Sequence, residues 1–436
     1  EISECLVGSE MCIRDRFKNL PIGQMEEKFA DYGEVQIKQL NDRSKMYYTP
    51  NKENNVFQLV VQYGAGEREF PKLGYAAQLM NNAGIMGAYE PQELKEELSK
   101  LNATCHVTAD DDNLYIIMEG YEATLPQACQ LLSRQILMPK LDEKQLARLK
   151  GSAMGMRQQR KDNVSILNEA LRQYMLYGEK SDYIKELTDK EIYELQISEL
   201  TGDINRASNY EAKVFFTGTL PFDQVYDILS KNLPLVANER PSNSPQAKDM
   251  MPVTENTVYF LPNNDAEQAQ IHLYIPMQKA DKKDDVLRSA FNQYFGLDFT
   301  GIVLNEIREK RSMAYTAYAF VGTQGIAGKA SYLRGYIGTQ NDKANDALDV
   351  LMGLVNDMPK NPERIDNIKS YLRQAMLTSH PSFRNKAMEL VDLGYRGYTD
   401  DPAKENLPKV DALTFDDIVK FLSLIHISEP TRHSLI

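Results

Sequence analysis

The chain has 436 residues, of which 42% are hydrophobic and 26% charged, a composition typical of a globular protein with room for two or three domains. The formal net charge of −12 argues against a general nucleic-acid binder, because contacts with phosphates need clustered Lys and Arg. No apolar run approaches the length of a membrane span, and the first residues lack the hydrophobic region of a signal peptide.

The two ends of the chain differ in character from the rest. Residues 1–16 and 423–436 look like translated sequencing-adapter read-through, so we exclude both segments from fold and function. We therefore expect the chain to be an internal fragment of a longer protein. Without the first segment only Cys105 and Cys129 remain, and their spacing predicts neither a disulfide framework nor a zinc ribbon.

A first structural unit is predicted over residues 46–235. Residues 17–45 are polar with a helical middle, and we expect them to link this unit to an upstream half. Apolar and β-branched runs predict strands at 46–51, 56–63, 104–108, 113–118 and 213–219. Helical periodicity predicts helices at about 72–82, 91–101, 125–137, 143–178 and 221–231.

Residues 236–254 are predicted to be a linker, because their first half is polar, contains two prolines and has no apolar period. Beyond the linker the pattern starts again. Residues 258–263 mirror 46–51, and the offset of about 212 residues between Pro50 and Pro262 suggests two copies of one module.

The second copy is predicted over residues 255–422. Its strands are expected at 270–275, 315–320 and 331–337, and its helices at 285–295, 342–358, 362–378 and from 414 onward. Each copy mixes hairpins with long helices. This pattern predicts an α+β fold of two homologous α/β-sandwich domains, each a mostly antiparallel sheet with helices packed on it.

One junction in the second copy has the residues of a binding site. Leu304 and Ile307 give the apolar stripe of a helix, and the chain then changes to a strand near Tyr315. Arg308 and Tyr315 flank this junction, and a guanidinium and a phenol placed together can donate to one substrate oxygen. The alternative is that Arg308 forms a surface ion pair and Tyr315 is an ordinary strand aromatic.

This junction and the duplicated layout resemble the pitrilysin/insulinase family of zinc metallopeptidases (inverzincins). Members have an arginine–tyrosine pair seven positions apart, as are Arg308 and Tyr315. The resemblance extends over roughly residues 46–421 and is closest to the C-terminal half of two-unit bacterial members. It implies one half of a metallohydrolase-like clam-shell, the half without zinc, whose pair holds the substrate backbone and the developing oxyanion.

Active members of the family carry an H-x-x-E-H zinc motif on the first helix, and this chain does not. The motif positions fall on Ala77, Met80 and Asn81, none of which is a usual zinc ligand. The downstream helix has no Asp or Glu between Lys144 and Lys161, so the third ligand is missing as well. We therefore expect no metal and no cofactor in this fragment, with zinc in the partner half.

Three histidines lie outside the suspect ends, namely His106, His272 and His380. They are far apart and lack metal-ligand spacing, so structural or surface roles are expected for them.

The resemblance implies a non-catalytic half that encloses peptides and supplies Arg308 and Tyr315 to a zinc-bearing half, on the same chain or a partner subunit. The fragment alone is predicted to be inactive. Two alternatives stay open: a structural scaffold like the family's core proteins in respiratory complexes, and a peptide-binding module without a proteolytic role. A bacterial periplasm or cell envelope is favoured over the cytoplasm.

Overall fold

The computed structural model describes residues 26–160, 163–236, 239–263, 266–297, 300–426 and 432–435. In the first unit the strands are β1 (Gln36–Gln39), β2 (Lys45–Pro50), β3 (Val56–Tyr63), β4 (Gly84–Ile85), β5 (Ala103–Ala109), β6 (Leu114–Tyr121), β7 (Pro139–Lys140) and β8 (Ala212–Gly218). The helices are α1 (Leu73–Met80), α2 (Pro91–Lys100), α3 (Leu125–Leu137), α4 (Glu143–Arg160), α5 (Val164–Tyr177), α6 (Asp182–Lys185), α7 (Asp189–Glu194), α8 (Ile197–Ala207) and α9 (Phe222–Asn232).

The main sheet of the first unit has the strand order β1-β2-β8-β3-β6-β5. All neighbours are antiparallel except β2 and β8, which run parallel. Along β3, Phe57, Leu59 and Val61 are fully buried in the core beneath the helices. Side chains alternate between the faces of a strand, so Val60 lies on the opposite face.

The second unit continues the chain with another sheet and its helices. Its strands are β9 (Thr257–Phe260), β10 (Gln268–Lys279), β11 (Ala314–Thr323), β12 (Ala330–Gln340) and β13 (Arg432–Leu435). Its helices are α10 (Asp285–Phe295), α11 (Ile302–Leu304), α12 (Ala344–Asn356), α13 (Ile365–Thr378), α14 (Lys386–Tyr395), α15 (Pro402–Ala412) and α16 (Phe415–His426).

The second sheet repeats the topology of the first. Its order is β11-β12-β10-β13-β9, which matches β5-β6-β3-β8-β2 strand for strand. The directions match too, since β13 is parallel to β9 and antiparallel to β10, as β8 is to β2 and β3. The predicted α+β fold class, with mostly antiparallel sheets, is confirmed.

Two terminal regions differ from the sequence expectation. Residues 36–39 form a strand paired with β2, and in the described part of 17–45 the predicted helical middle is limited to a 3₁₀ turn at Tyr32–Glu34. Ile37 is half exposed, so this strand has no apolar pattern and its pairing partner decides its conformation. At the other end, residues 432–435 of the suspected read-through tail pair as β13, while residues 1–16 lie outside the described residues.

Each unit places a helix on the sheet of the other. Met175 and Leu176 of α5 pack against Tyr274 on β10 in the second sheet. In return, Ala387 of α14 packs against Val60 on the first sheet. Because each sheet has a second face that its own helices leave uncovered, this exchange buries apolar surface and joins the two units.

The predicted linker is irregular but attached to the first unit. The Asn243 N–H donates to the Gly64 carbonyl at 2.8 Å, and the Met251 N–H donates to the Leu176 carbonyl at 2.8 Å. Glu239 is buried and accepts from Ser44 Oγ at 2.7 Å. In the part of the chain that the structure describes, no helix is long and apolar enough to cross a membrane.

Candidate functional site

The junction before β11 contains several departures from regular backbone. Helix α11 continues into a π-helical turn, Asn305–Glu309, which the Lys310 N–H closes by donating to the Asn305 carbonyl at 3.0 Å. Ser312 then adopts a left-handed conformation with φ of 50°. Turns of the π type are rare and occur frequently at functional sites.

A bulge at the start of β11 sets the position of Tyr315. The pairing register shifts between Ala314 and Thr316, so Tyr315 has no opposite residue on β12. An extra residue of this kind is left outside the ladder and re-aims its side chain. The Tyr315 side chain is accordingly 76% exposed, in a strand whose neighbouring residues are mostly half-buried or buried.

The π-turn and the bulge together bring Arg308 and Tyr315 into contact. The guanidinium carbon of Arg308 lies 5.4 Å from the centre of the Tyr315 ring, a cation–π distance. Arg308 Nε lies 3.5 Å from a carboxylate oxygen of its exposed neighbour Glu309. The structure thus brings together the two residues that the sequence singled out, with the guanidinium and the phenol at the surface.

The base of the site is fixed by a buried carboxylate. Glu306 is 7% exposed, and its two oxygens accept from Lys310 Nζ and Arg311 Nη1, each at 2.6 Å. Burial by itself raises the pKa of Glu306, but the hydrogen bonds from Lys310 and Arg311 outweigh burial and hold the pKa below its usual value. Arg311 is therefore a structural cation that holds the turn.

The three residues predicted to occupy zinc-motif positions lie in the first unit, whereas the Arg308–Tyr315 pair lies in the second. Ala77 and Met80 are both 1% exposed and pack in the core of that unit. The Asn81 amide donates to the Val107 carbonyl at 2.9 Å and accepts from the Val107 N–H at 2.7 Å. A methyl group, a thioether and an amide already bonded to backbone do not fit a zinc ion.

The second unit has the same asparagine arrangement. Asn292 on α10 donates to the Val321 carbonyl at 3.0 Å and accepts from the Val321 N–H at 2.7 Å. Val107 and Val321 lie on the corresponding edge strands β5 and β11. Each is opposite an apolar residue on the next strand of its sheet. Sequence reasoning missed this pair, although the two asparagines are separated by nearly the predicted repeat offset.

One histidine, His272, is buried and has a structural contact. His272 on β10 is 3% exposed, and its Nε2 lies 2.8 Å from Asn168 Oδ1 of α5. Burial, followed by the nearby cations Arg334 and Arg172, lowers the pKa of His272 to about 3, so the ring is neutral. Within the described residues, no group of three His, Cys, Asp or Glu side chains is placed to hold a metal ion.

Comparison with known families decides the kind of domain. Residues 208–372, which include Arg308 and Tyr315, match the family described as the peptidase M16 inactive domain. This part of the chain is similar to the M16 inactive domain. This finding confirms the resemblance to a non-catalytic half of the pitrilysin/insulinase family. A search of the curated proteins found no match.

Several solved structures share the fold of this chain. An M16 inactive domain from Pseudomonas fluorescens has 17% identity and a TM-score of 0.68, with 92% of this chain and 97% of that one covered. The ferredoxin protease FusC, solved in complex with Arabidopsis ferredoxin, has 13% identity and a TM-score of 0.72. The match covers 96% of this chain but 47% of FusC, so this chain spans about half of that protein.

A third structure bears on which half of a protease this chain is similar to. The first half of the periplasmic protease PqqL from Escherichia coli has 12% identity and a TM-score of 0.67, with 94% of this chain and 93% of that one covered. Identities this low show the fold alone. Since a first half matches as well as an inactive domain does, the similarity to an M16 inactive domain depends on the family match at residues 208–372 and not on the fold.

Proposed function

We propose that this chain is the non-catalytic, substrate-binding half of a zinc metallopeptidase. It encloses peptides together with a zinc-bearing half and supplies Arg308 and Tyr315 to the active site of that half. The zinc-bearing half is on the same polypeptide or on a partner subunit. The observation that carries this proposal is the exposed Arg308–Tyr315 contact, which a π-turn and a bulge hold at the start of β11.

The chemistry of the pair suits a peptide bond under attack. Zinc bound in the partner half would supply the activated water. In this chain, the Arg308 guanidinium and the Tyr315 hydroxyl are donors that can bind a carbonyl oxygen and the negative charge that develops on it. The Glu306 ion pairs with Lys310 and Arg311 hold the turn, so the donors need little rearrangement when substrate binds.

The exposure of the pair favours this proposal over a purely structural scaffold. A tyrosine that is 76% exposed buries little apolar surface and contributes little to folding. The structure of FusC with ferredoxin supports a polypeptide as the kind of substrate enclosed. PqqL is a periplasmic protease, and the shared fold supports an envelope location for this chain too.

The decisive experiment combines this chain with its zinc-bearing half, expressed as one polypeptide or as two subunits. Hydrolysis of an internally quenched peptide should require both halves, and the chain alone should show none. If the zinc-bearing half cleaves at the same rate with and without this chain, the proposal fails and the scaffold alternative gains support. A peptide-binding module would instead bind the peptide and leave the rate of the zinc-bearing half unchanged.

A further inference from the structure

Strand β5 is an outer edge of the first sheet. Alternate residues of an edge strand point both backbone groups away from their neighbour. The outward groups of Val107 are bound by Asn81. By the same alternation, the N–H and C=O groups of Ala103 and Cys105 point outward, and among the described residues neither has a backbone partner on that side.

A cavity of about 610 Å³ lies beside this open edge. Its apolar lining includes side chains from the end of α1, from α2 and from β5, namely Met80, Leu94, Leu98, Ala103, Cys105 and Val107. An engineered apolar cavity of about 150 Å³ is large enough to hold benzene. The β5 cavity therefore has room for more than one aliphatic side chain.

The corresponding edge of the second sheet is more fully closed. On β11, Asn292 occupies both backbone groups of Val321. Two residues earlier on the same edge, the Ala319 N–H donates to the Gly296 carbonyl at 3.2 Å. The two sheets share one topology, but on β5 two consecutive outward positions are open beside an apolar cavity.

We propose that β5 binds an extended polypeptide segment as an additional strand. Residues opposite each other on neighbouring strands direct their side chains to the same face. The two peptide residues opposite Ala103 and Cys105 therefore place their side chains in the cavity, and the residue between them faces the exposed Thr104 side. The site therefore selects peptides in which two apolar residues are separated by one residue of any kind. This inference goes beyond the proposed function, because it does not depend on Arg308, Tyr315 or a partner half.

An extended polypeptide is the occupant that fits the edge. Open donors and acceptors recur every second residue along β5, roughly 6.8 Å apart, which is the repeat of a peptide backbone. At one end of this row of open groups, Asn81 already binds the backbone of Val107. At the other end, Asn102 has a left-handed backbone with φ of 49°, so the strand does not continue. The pairing is thus confined to a short segment, with the cavity giving selectivity.

The test uses the full chain and two fluorescein-labelled peptides of equal composition. The first, Gly-Ser-Leu-Thr-Val-Ser-Gly, has its apolar residues at alternate positions, and the second, Gly-Ser-Leu-Val-Thr-Ser-Gly, has them adjacent. Anisotropy should show the first peptide binding at least tenfold more tightly. Residue-resolved hydrogen exchange should show that it slows exchange at Cys105, whereas Val107 is already protected by Asn81.

Two variants and one matched control complete the test. Ser99→Phe, at an exposed position on the cavity wall, narrows the cavity without touching the core, and Cys105→Pro removes an outward N–H. Each should weaken binding at least tenfold, while Ser230→Phe, at an exposed position on α9, should not. If Cys105→Pro fails to fold, Ser99→Phe alone decides. Equal affinity for both peptides, no binding, unchanged binding by Ser99→Phe, or protection on β11 instead would overturn the inference.

Discussion

The side-chain amide of Asn81 bonds to both backbone groups of Val107, donating at 2.9 Å and accepting at 2.7 Å. Asn292 holds Val321 in the same way in the second unit. Each asparagine thereby fastens the first helix of its unit to an edge strand. Strand edges are otherwise open to pairing with other chains, so the contact both joins elements and protects backbone groups.

Asn81→Ala should therefore destabilise the chain. The substitution removes two hydrogen bonds and leaves a partly buried donor and acceptor unsatisfied, at a cost of about 1–3 kcal/mol. Denaturant unfolding measures this change, and Asn292→Ala should cost a similar amount. The matched control is Asn82→Ala, which loses only an exposed contact with Lys95 and should change stability by less than about 0.5 kcal/mol. Equal effects at positions 81 and 82 would contradict a special role for the amide.

Arg308→Ala and Tyr315→Phe should each lower peptidase activity in the reconstituted enzyme while leaving the fold intact. Loss of one preorganised oxyanion donor typically costs on the order of 100- to 1000-fold in turnover. Arg308→Lys should also reduce kcat, because an ammonium does not reproduce the planar fork of a guanidinium. The measurement is kcat and KM on an internally quenched peptide, with circular dichroism as the check of folding.

The control for this series is Arg134→Ala. Arg134 is exposed and lies 5.8 Å from the ring centre of Tyr89, so it forms a similar contact in the first unit. Its removal should leave kcat unchanged. Arg311 is unsuitable as a control because it is bonded to buried Glu306. Equal losses of kcat at positions 308 and 134 would show that Arg308 and Tyr315 have no special role in catalysis.

The isolated chain should not retain stoichiometric zinc after dialysis. The motif positions offer Ala77, Met80 and Asn81, and the Asn81 amide is bonded to Val107. Elemental analysis of the dialysed protein measures this directly. A full equivalent of zinc that is lost on replacing His106 or His272 would show that another ligand set exists.

His272 should make the chain less stable in mild acid. Its pKa is near 6.5 in an unfolded chain and about 3 in the native one. The unfolded state binds the extra proton between these values. The free energy of unfolding is therefore highest above about pH 6.5. Below that pH, protonation of His272 in the unfolded state lowers it by about 1.4 kcal/mol per pH unit.

His272→Gln tests this dependence, because glutamine retains a donor for Asn168 and does not titrate in this range. Urea unfolding at pH 7 and at pH 5 should show a smaller loss of stability in the variant than in the parent chain. The exposed His380→Gln should behave like the parent. Parallel pH profiles for all three proteins would place the acid sensitivity elsewhere.

The linker should resist thermolysin, which cleaves before apolar residues, while Glu239 holds it. Glu239 accepts from Ser44 at 2.7 Å and from Asn41 at 2.9 Å, and the Asn41 amide also donates to the Val236 carbonyl at 3.3 Å. Hydrogen bonds to a charged group contribute about 1.5–3 kcal/mol, so Glu239→Ala should speed cleavage of the Leu235–Val236 bond by roughly 10- to 100-fold. Glu255→Ala, at an exposed position, is the control. Rapid cleavage of the parent chain at the Leu235–Val236 bond would show that these contacts do not hold the linker.

The sequence by itself determined the elements and their repetition. Hydrophobic periodicity is a local property of the chain, and it located the helix at 125–137 and the hairpin of β5 and β6 to within two or three residues. It also marked Arg308 and Tyr315 as neighbours of a helix–strand junction. The sequence also predicts that Ala77, Met80 and Asn81 bind no zinc, because the identity of a side chain limits its chemistry wherever it lies.

Only the tertiary structure decided how these residues meet. The π-turn and the bulge that bring Arg308 to Tyr315 depend on the register of β11 against β12, and register is set by packing between distant strands. Strand β1 forms because β2 is available to pair with it. The bonds of Asn81 to Val107, Glu306 to Arg311 and His272 to Asn168 depend on which surfaces a fold buries, and burial is a property of the whole chain.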